Sequence, residues 1–300
     1  MKTFLSFIII LFISSVANAT ELNSVLNKAY DKGSEMAEGY LGNLLAGPGD
    51  TEVSIGKQRN KKKGYTKPTG SIMIVRPYSV TEDSVFFYQL QLNSHPVQGK
   101  VRQSLNYGIG KRFLSDDKSH FWGLNTFYDL DTERNSRLGF GSEFKASSFN
   151  VNGNYYIDAG IGADQNVGAT TERVLNGYDI NVSGQVPYAP WANINYNNYT
   201  WAADKSTQDS KGEVISGNFN LSNNYTLEMG MNNNNLNGNA SFAKLTYVHG
   251  TKKRSNMNDG FSSTAFQDSD VSTEMLTKVK RSNIITLEIE GTGVVIANGN

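Results

Sequence analysis

A chain of 300 residues with 28 basic and 28 acidic side chains carries no net charge, so nothing draws it as a whole toward nucleic acid. Cysteine is absent, which removes disulfides and thiolate metal sites. Aromatics make up 11% of residues, glycine contributes 29 and proline only 6, a balance that favours strands and turns over helices.

The N-terminus opens on Met1-Lys2, continues as an apolar run from Phe4 to Val16, and reaches the small residues of Ala17-Asn18-Ala19. This is the pattern of a secretory signal peptide, residues 1–19, cleaved after Ala19. The run is too short for a spanning helix, which needs roughly 20 apolar residues. No later stretch approaches one, so a membrane crossing would have to use strands. Residues 20–49 read as a periplasmic helical segment. Leu22, Val25, Leu26, Ala29 and Tyr30, then Met36, Ala37, Tyr40, Leu41, Leu44 and Leu45, recur at helical spacing, and Gly47-Pro48-Gly49 stops the run.

From Asp50 the period becomes two. Tyr178, Ile180, Val182, Val186 and Tyr188 oppose Asp179, Asn181, Ser183 and Gln185. Tyr225, Leu227, Met229 and Met231 oppose Thr226, Glu228, Gly230 and Asn232, and Phe86, Tyr88, Leu90 and Leu92 oppose Gln89, Gln91 and Asn93. An outward apolar face and an inward polar face suit a strand with lipid on one side and water on the other. A soluble sandwich with the faces reversed shows the same alternation. Aromatics near strand ends, Trp122, Tyr128, Tyr178, Tyr188 and Trp201, favour the interfacial girdle of a membrane barrel. Twelve strands are predicted, at residues 51–57, 70–78, 84–93, 100–114, 120–130, 136–145, 148–157, 177–188, 192–202, 213–222, 225–231 and 238–249. Long connections (58–69, 158–176, 203–212) alternate with short ones (79–83, 189–191, 223–224), as outer loops and periplasmic turns do. An all-strand spanning protein must close, because lipid offers backbone groups no partner. The alternation and the loop lengths favour an all-β antiparallel transmembrane β-barrel over residues 50–249, with the sandwich as the alternative.

Residues 250–300 break this pattern. Residues 250–270 are polar and loop-like, 271–280 read as two to three turns of helix capped by Ser272 or Thr273, and 282–290 read as extended.

Little here carries catalytic chemistry. His95 is expected in an outer loop, and His120 and His249 near the opposite rim, all as surface histidines without metal-ligand spacing. Asp116-Asp117 and the pair Asp129 and Asp131 sit at predicted strand ends, where aspartate serves the backbone. Gly108-Ile-Gly110 and Gly139-Phe-Gly141 precede no helix, so they are not nucleotide loops; glycine in a barrel strand lets the wall bend or another segment come close. Lys61-Lys62-Lys63 in the first outer loop is a solvated cluster or a contact for anionic lipopolysaccharide.

Several segments, in order along the chain, resemble the inverse autotransporter β-domain of the intimin and invasin family. They are Asn106-Tyr-Gly-Ile-Gly-Lys-Arg-Phe113, Trp122-Gly-Leu-Asn-Thr-Phe-Tyr-Asp-Leu-Asp131, Asn135-Ser-Arg-Leu-Gly-Phe-Gly-Ser-Glu-Phe144, Asn176-Gly-Tyr-Asp-Ile180, Val186-Pro-Tyr-Ala-Pro190 and Arg281-Ser-Asn-Ile-Ile-Thr-Leu-Glu288. The resemblance covers roughly residues 22–289. It implies a twelve-stranded outer-membrane barrel of a Gram-negative cell, followed by a short periplasmic helix (271–280) and a linker (281–296) that threads outward through the pore. Arg281, Ser282, Asn283, Ile284, Ile285, Leu287 and Glu288 would form that linker. Implied partners are outer-membrane lipid and lipopolysaccharide, the barrel-assembly machinery and periplasmic chaperones. No cofactor or nucleic acid is implied, and no enzymatic activity. The family's adhesive passenger is expected to be absent, encoded separately or lost, and the surface ligand is unknown. The competing function is a passive outer-membrane channel.

Overall fold

The computed structural model describes residues 47–60, 64–160, 164–250, 253–266, 269–291 and 293–295. The predicted signal peptide with Ala19, the predicted helix at 21–46 and the run Lys61-Lys62-Lys63 lie outside them. Residues 49–300 make one compact unit.

Among the described residues twelve long strands build the wall: β1 (Thr51–Asn60), β2 (Thr69–Val80), β3 (Ser84–Val97), β4 (Lys100–Leu114), β5 (His120–Asp131), β6 (Ser136–Ala146), β7 (Phe149–Asp158), β8 (Gly177–Val186), β9 (Ala189–Trp201), β10 (Ser210–Asn220), β11 (Tyr225–Asn234) and β12 (Gly238–His249). Each pairs antiparallel with the next, and β12 returns to β1 from Thr51↔His249 to Asn60↔Ala240. The sheet is thus a single closed ring, which removes the sandwich alternative and leaves the wall no open edge. An even number of strands brings Thr51 and His249 to the same end, the near rim; Asn60 and Gly238 mark the far rim.

The alternation read from the sequence sorts side chains as a barrel in lipid requires. Leu105, Tyr107, Trp122, Leu124, Ile180, Val182, Met229 and Met231 are exposed on the outer face, whereas Gln89, Asn106, Arg112, Asp129 and Asn154 are buried inside. Ring pairs mark the interfacial belt, with Phe113 and Trp122 stacked at 4.4 Å and Tyr225 edge-on to Tyr247 at 5.3 Å. Trp201 does not belong to this belt. It points inward and packs with Tyr156, Leu175 and Tyr199, because it falls on the same side of β9 as Asn197 and Tyr199.

The interior is not uniformly wet. Toward the near rim Met73, Val75, Val85, Phe87, Phe121 and Phe127 face inward and enclose Val271, Met275 and Val279 of the tail. This apolar plug explains why 271–280 is not the helix expected. Only a single 3-10 turn, Val271–Glu274, forms, and Asp270 rather than Ser272 or Thr273 caps it. Carbonyls that would close further helical turns are taken elsewhere. Arg112 Nη1 donates to Met275 O and Thr277 O (both 2.8 Å), and Asp50 N donates to Leu276 O (3.1 Å).

The connections also differ from expectation. On the far rim 61–68, 159–176 and 202–209 are long, but 98–99, 132–135 and 235–237 are as tight as the near-rim turns. Strand β3 continues to Val97, so His95 is not in an outer loop. It is 2% exposed and its Nδ1 has no hydrogen-bond partner among the described residues. Asp117 does serve its turn, accepting from Ser115 Oγ (2.6 Å) and Ser119 N (3.0 Å), bonds that hold its carboxyl down to about 2.

Wall packing is tight where rings cross bare backbone. A Cβ added to Gly108 would collide with the Phe127 ring. Gly108→Val is expected to destabilise the barrel by about 1–3 kcal/mol, the usual cost of overpacking, read as a lower urea midpoint for the gel-mobility change on unfolding. An unchanged midpoint would mean that the ring is free to move aside.

Candidate functional site

Strand parity decides which polar side chains enter the lumen. On β4, Arg102, Ser104, Asn106, Gly108, Gly110 and Arg112 share the inward face; on β5 and β6, Asp129, Arg137 and Glu143 do. A buried guanidinium or carboxylate needs a charged or hydrogen-bonding partner, and here the partners come from neighbouring strands, a far-rim connection and the tail.

The tail enters at the near rim, where Val271 N donates to Lys118 O (3.0 Å). Arg112 lies against the Phe87 and Phe121 rings and forms a forked pair with Glu143, Nε–Oε1 at 2.8 Å and Nη2–Oε2 at 3.0 Å. Further in, Lys278 pairs with Glu52 (2.9 Å), Gln89 Oε1 accepts from Val279 N (2.9 Å), and Lys280 Nζ donates to Ser183 Oγ (2.7 Å).

At mid-lumen Asp129 holds two arginines at once. Arg137 donates to its Oδ2 through Nε (2.9 Å) and Nη2 (2.7 Å), and Arg281 donates through Nη1 to Oδ1 (3.0 Å) and Nη2 to Oδ2 (2.6 Å). Asn106 Nδ2 adds a bond to Oδ1 at 2.7 Å. Both guanidinium groups also sit over rings, Arg281 at 4.3 Å from Phe127 and Arg137 at 4.3 Å from Tyr156. Gly139 leaves room for this, since a Cβ there would lie 3.1 Å from Arg281 Nη2. The wall also supplies partners for the tail's backbone. Arg137 donates to Ser282 O (2.8 Å) and Ile284 O (3.2 Å), Asn106 to Asn283 O (2.9 Å) and Asn154 to Lys280 O (3.0 Å), while Tyr156 Oη accepts from Ser282 N (2.8 Å). An extended segment with no ladder of its own is thereby satisfied.

At the far rim the tail becomes a strand. Leu287–Ile289 pairs with Thr170–Val174, which is hairpinned to Gln165–Val167, and with Gly293–Val295, making a four-stranded sheet at the mouth. Arg102 grips Glu172 with two bonds (2.6 and 2.7 Å) and reaches Asp131 at 3.1 Å. Glu288 accepts from Asp204 N (2.9 Å) and Lys205 N (3.0 Å) of the 202–209 connection. Beside the tail, toward β8–β12, a cavity of about 150 Å³ remains.

The seven residues named for the linker are therefore inside the barrel or at its mouth. Arg281, Asn283, Ile284, Ile285, Leu287 and Glu288 are buried, and Ser282 is partly buried. Of the aspartates read as turn formers, Asp129 is corrected, since it is fully buried and works on two arginines; Asp131 does cap its turn and also faces Arg102. Sequence reasoning missed Arg112, Arg137, Glu143 and Tyr156. Inward parity of charged residues on strands with exposed neighbours would have found the first three. Among the described residues no cluster of three acidic or histidine side chains is placed to hold a metal ion.

Comparison with known proteins matches this architecture. The family model described as inverse autotransporter, beta-domain covers residues 13–283. A solved chain from work on in-meso crystallization of membrane proteins is similar over 80% of this chain and 100% of its own, at 20% identity and a TM-score of 0.62, a likeness of fold. Weaker similarity reaches an outer membrane channel from Pseudomonas putida F1 (10% identity, TM-score 0.47, 68% of this chain and 97% of that one). The KdgM porin is comparable (9% identity, TM-score 0.41, 66% and 98%). No curated protein matches the chain. With its closed wall and a family match over most of its length, this outer-membrane β-barrel belongs to the inverse autotransporter β-domain family.

Proposed function

We propose that this barrel is a membrane anchor and export scaffold that presents its C-terminal segment and far-rim loops at the cell surface. In this reading residues 1–19 are a signal peptide removed after Ala19, residues 20–49 stay in the periplasm, the near rim faces the periplasm, and 281–296 is the outward linker. One observation carries it. Both ends of the wall lie at one rim, yet the tail reaches the other through the interior, bonded to wall side chains from Lys278 to Ile284 and to backbone amides of the 202–209 connection at Glu288. Outer-membrane lipid and lipopolysaccharide surround the wall, and barrel-assembly machinery and periplasmic chaperones deliver it. No catalytic residue is assigned: Asp129 is engaged by Arg137 and Arg281 and Glu143 by Arg112, and Arg112 and Arg137 also donate to tail carbonyls.

A peptide tag after Asn300 tests this on intact cells. External protease or antibody should reach it while a tag in the turn at 115–119 stays protected. Protection of the C-terminal tag in a correctly folded barrel would overturn the outward path.

A further inference from the structure

The wall addresses the main chain of the tail far more than its side chains. From Ser282 to Thr286, Arg137 donates to the carbonyls of Ser282 and Ile284, Asn106 to that of Asn283, and Leu175 N to that of Thr286 (3.1 Å). Nearer the entry, Arg112 takes the carbonyls of Met275 and Thr277, and Asn154 that of Lys280. The side chains of 282 and 283 turn back on the tail instead. Ser282 Oγ donates to Ile284 O (3.3 Å), and Asn283 Oδ1 accepts from Arg281 Nη1 (3.2 Å). Among the described residues, Arg281 is the one side chain of 281–286 that the wall hydrogen-bonds.

Every residue carries a carbonyl, so bonds of this kind hold an extended chain whatever its sequence. The exception is charged and shaped. Asp129 receives the Arg281 guanidinium through two bonds, in a slot between the Phe127 ring and the bare backbone of Gly139. A planar cation with a fork of donors fits that slot. Residue 283 lies on the same face of the tail, because its amide touches Arg281 and Asn106 Nδ2 joins its carbonyl (2.9 Å) to Asp129 Oδ1 (2.7 Å). A longer side chain at 283 therefore has Asp129 within reach.

We propose that the lumen is a binding groove for extended polypeptide of general sequence, held by its main chain, with one guanidinium on the bound chain as the side-chain requirement at mid-lumen. The inference rests on the outward path of the tail and names the ligand class of that path: extended segments that bring an arginine to Asp129. The chain has no cysteine, so a single thiol reports whether the tail is seated. In the full-length protein folded in detergent, Thr286→Cys puts that thiol where exposure is 2%, and it should resist a maleimide. Adding Ser282→Ala, Asn283→Ala and the volume-conserving Ile284→Met should change the labelling rate less than about twofold, because the carbonyls remain. Arg281→Gln should speed labelling about tenfold, the scale of a lost charge-assisted pair. In that chain Asn283→Arg should bring the rate back to within about twofold of the parent, as the relocated guanidinium reaches the same carboxylate. Heat-modifiable gel mobility verifies that each variant is folded, and the three replacements at 282–284 made singly carry the same expectation as the triple. Fast labelling of the folded triple or single variants overturns the proposal, since side chains would then hold the tail. Failure of Asn283→Arg to restore protection overturns it as well. A protected C-terminal tag with this labelling pattern intact overturns the outward path alone.

Discussion

Asp129→Asn is expected to be among the most damaging single substitutions in the barrel, costing about 3–5 kcal/mol, because it leaves buried arginines without their counter-charge. Both Arg137 and Arg281 direct two bonds at this carboxylate, and all three side chains are at most 1% exposed. Arg281→Met should cost less, since Asp129 keeps Arg137 and the new side chain suits the Phe127 ring it would lie against. Combining the two changes should recover part of the loss from Asp129→Asn, as one unpaired guanidinium disappears. Urea midpoints of the folded-to-unfolded gel shift give the ranking. Equal midpoints for Asp129→Asn and Arg281→Met would mean that the carboxylate is not shared between the two arginines.

Truncation should separate two obstructions in the pore. A chain ending before Arg281 loses the mid-lumen contacts but keeps Val271, Met275 and Val279 packed on Phe87, Phe121 and Phe127 at the near rim. It should therefore remain almost silent in a planar bilayer. A chain ending before Val271 loses the apolar plug as well and should conduct in discrete steps. The inward Asn181, Asn195, Asn197, Ser216 and Asn232 would then line an open passage, where the intact protein has a cavity of about 150 Å³. Equal conductance from both truncations would show that the plug does not seal. Silence from the shorter chain would remove the diffusion-pore reading.

What could be read in advance followed from forces acting on single strands. Lipid on one side and a polar interior on the other impose a period of two, so Ile180 and Val182 against Asp179 and Ser183 were legible from neighbours alone. The misreadings involve partners far away in the chain. Asp129 looks like a turn residue until Arg281 arrives from 152 positions later. Val271, Met275 and Val279 keep helical spacing, yet the barrel interior rather than a helix satisfies it, and Arg112 draws off the carbonyls a helix would use. Trp201 and His95 lie near predicted strand ends, yet an inward parity position decides both. Asp129, Arg137, Glu143 and Arg281 all lie in the segments that carry the family resemblance, and all are buried charged groups paired in the lumen, Asp129 with Arg137 and Arg281, and Glu143 with Arg112.

The small sheet at the far rim has a mechanical consequence. Leu287 lies opposite Val295 and Ile289 opposite Gly293, so the lumen anchor and the chain beyond Val295 leave from the open end of one hairpin. Tension applied there unzips that ladder one rung at a time, which takes little force. Once it has parted, the load falls on Leu287–Ile289, held by its pairing with Thr170–Val174 and by Glu288 on the 202–209 connection, and then on the extended segment back to Arg281, where many bonds must shear together. The mouth thus acts as a sacrificial fuse that yields slack before the interior bears a large load.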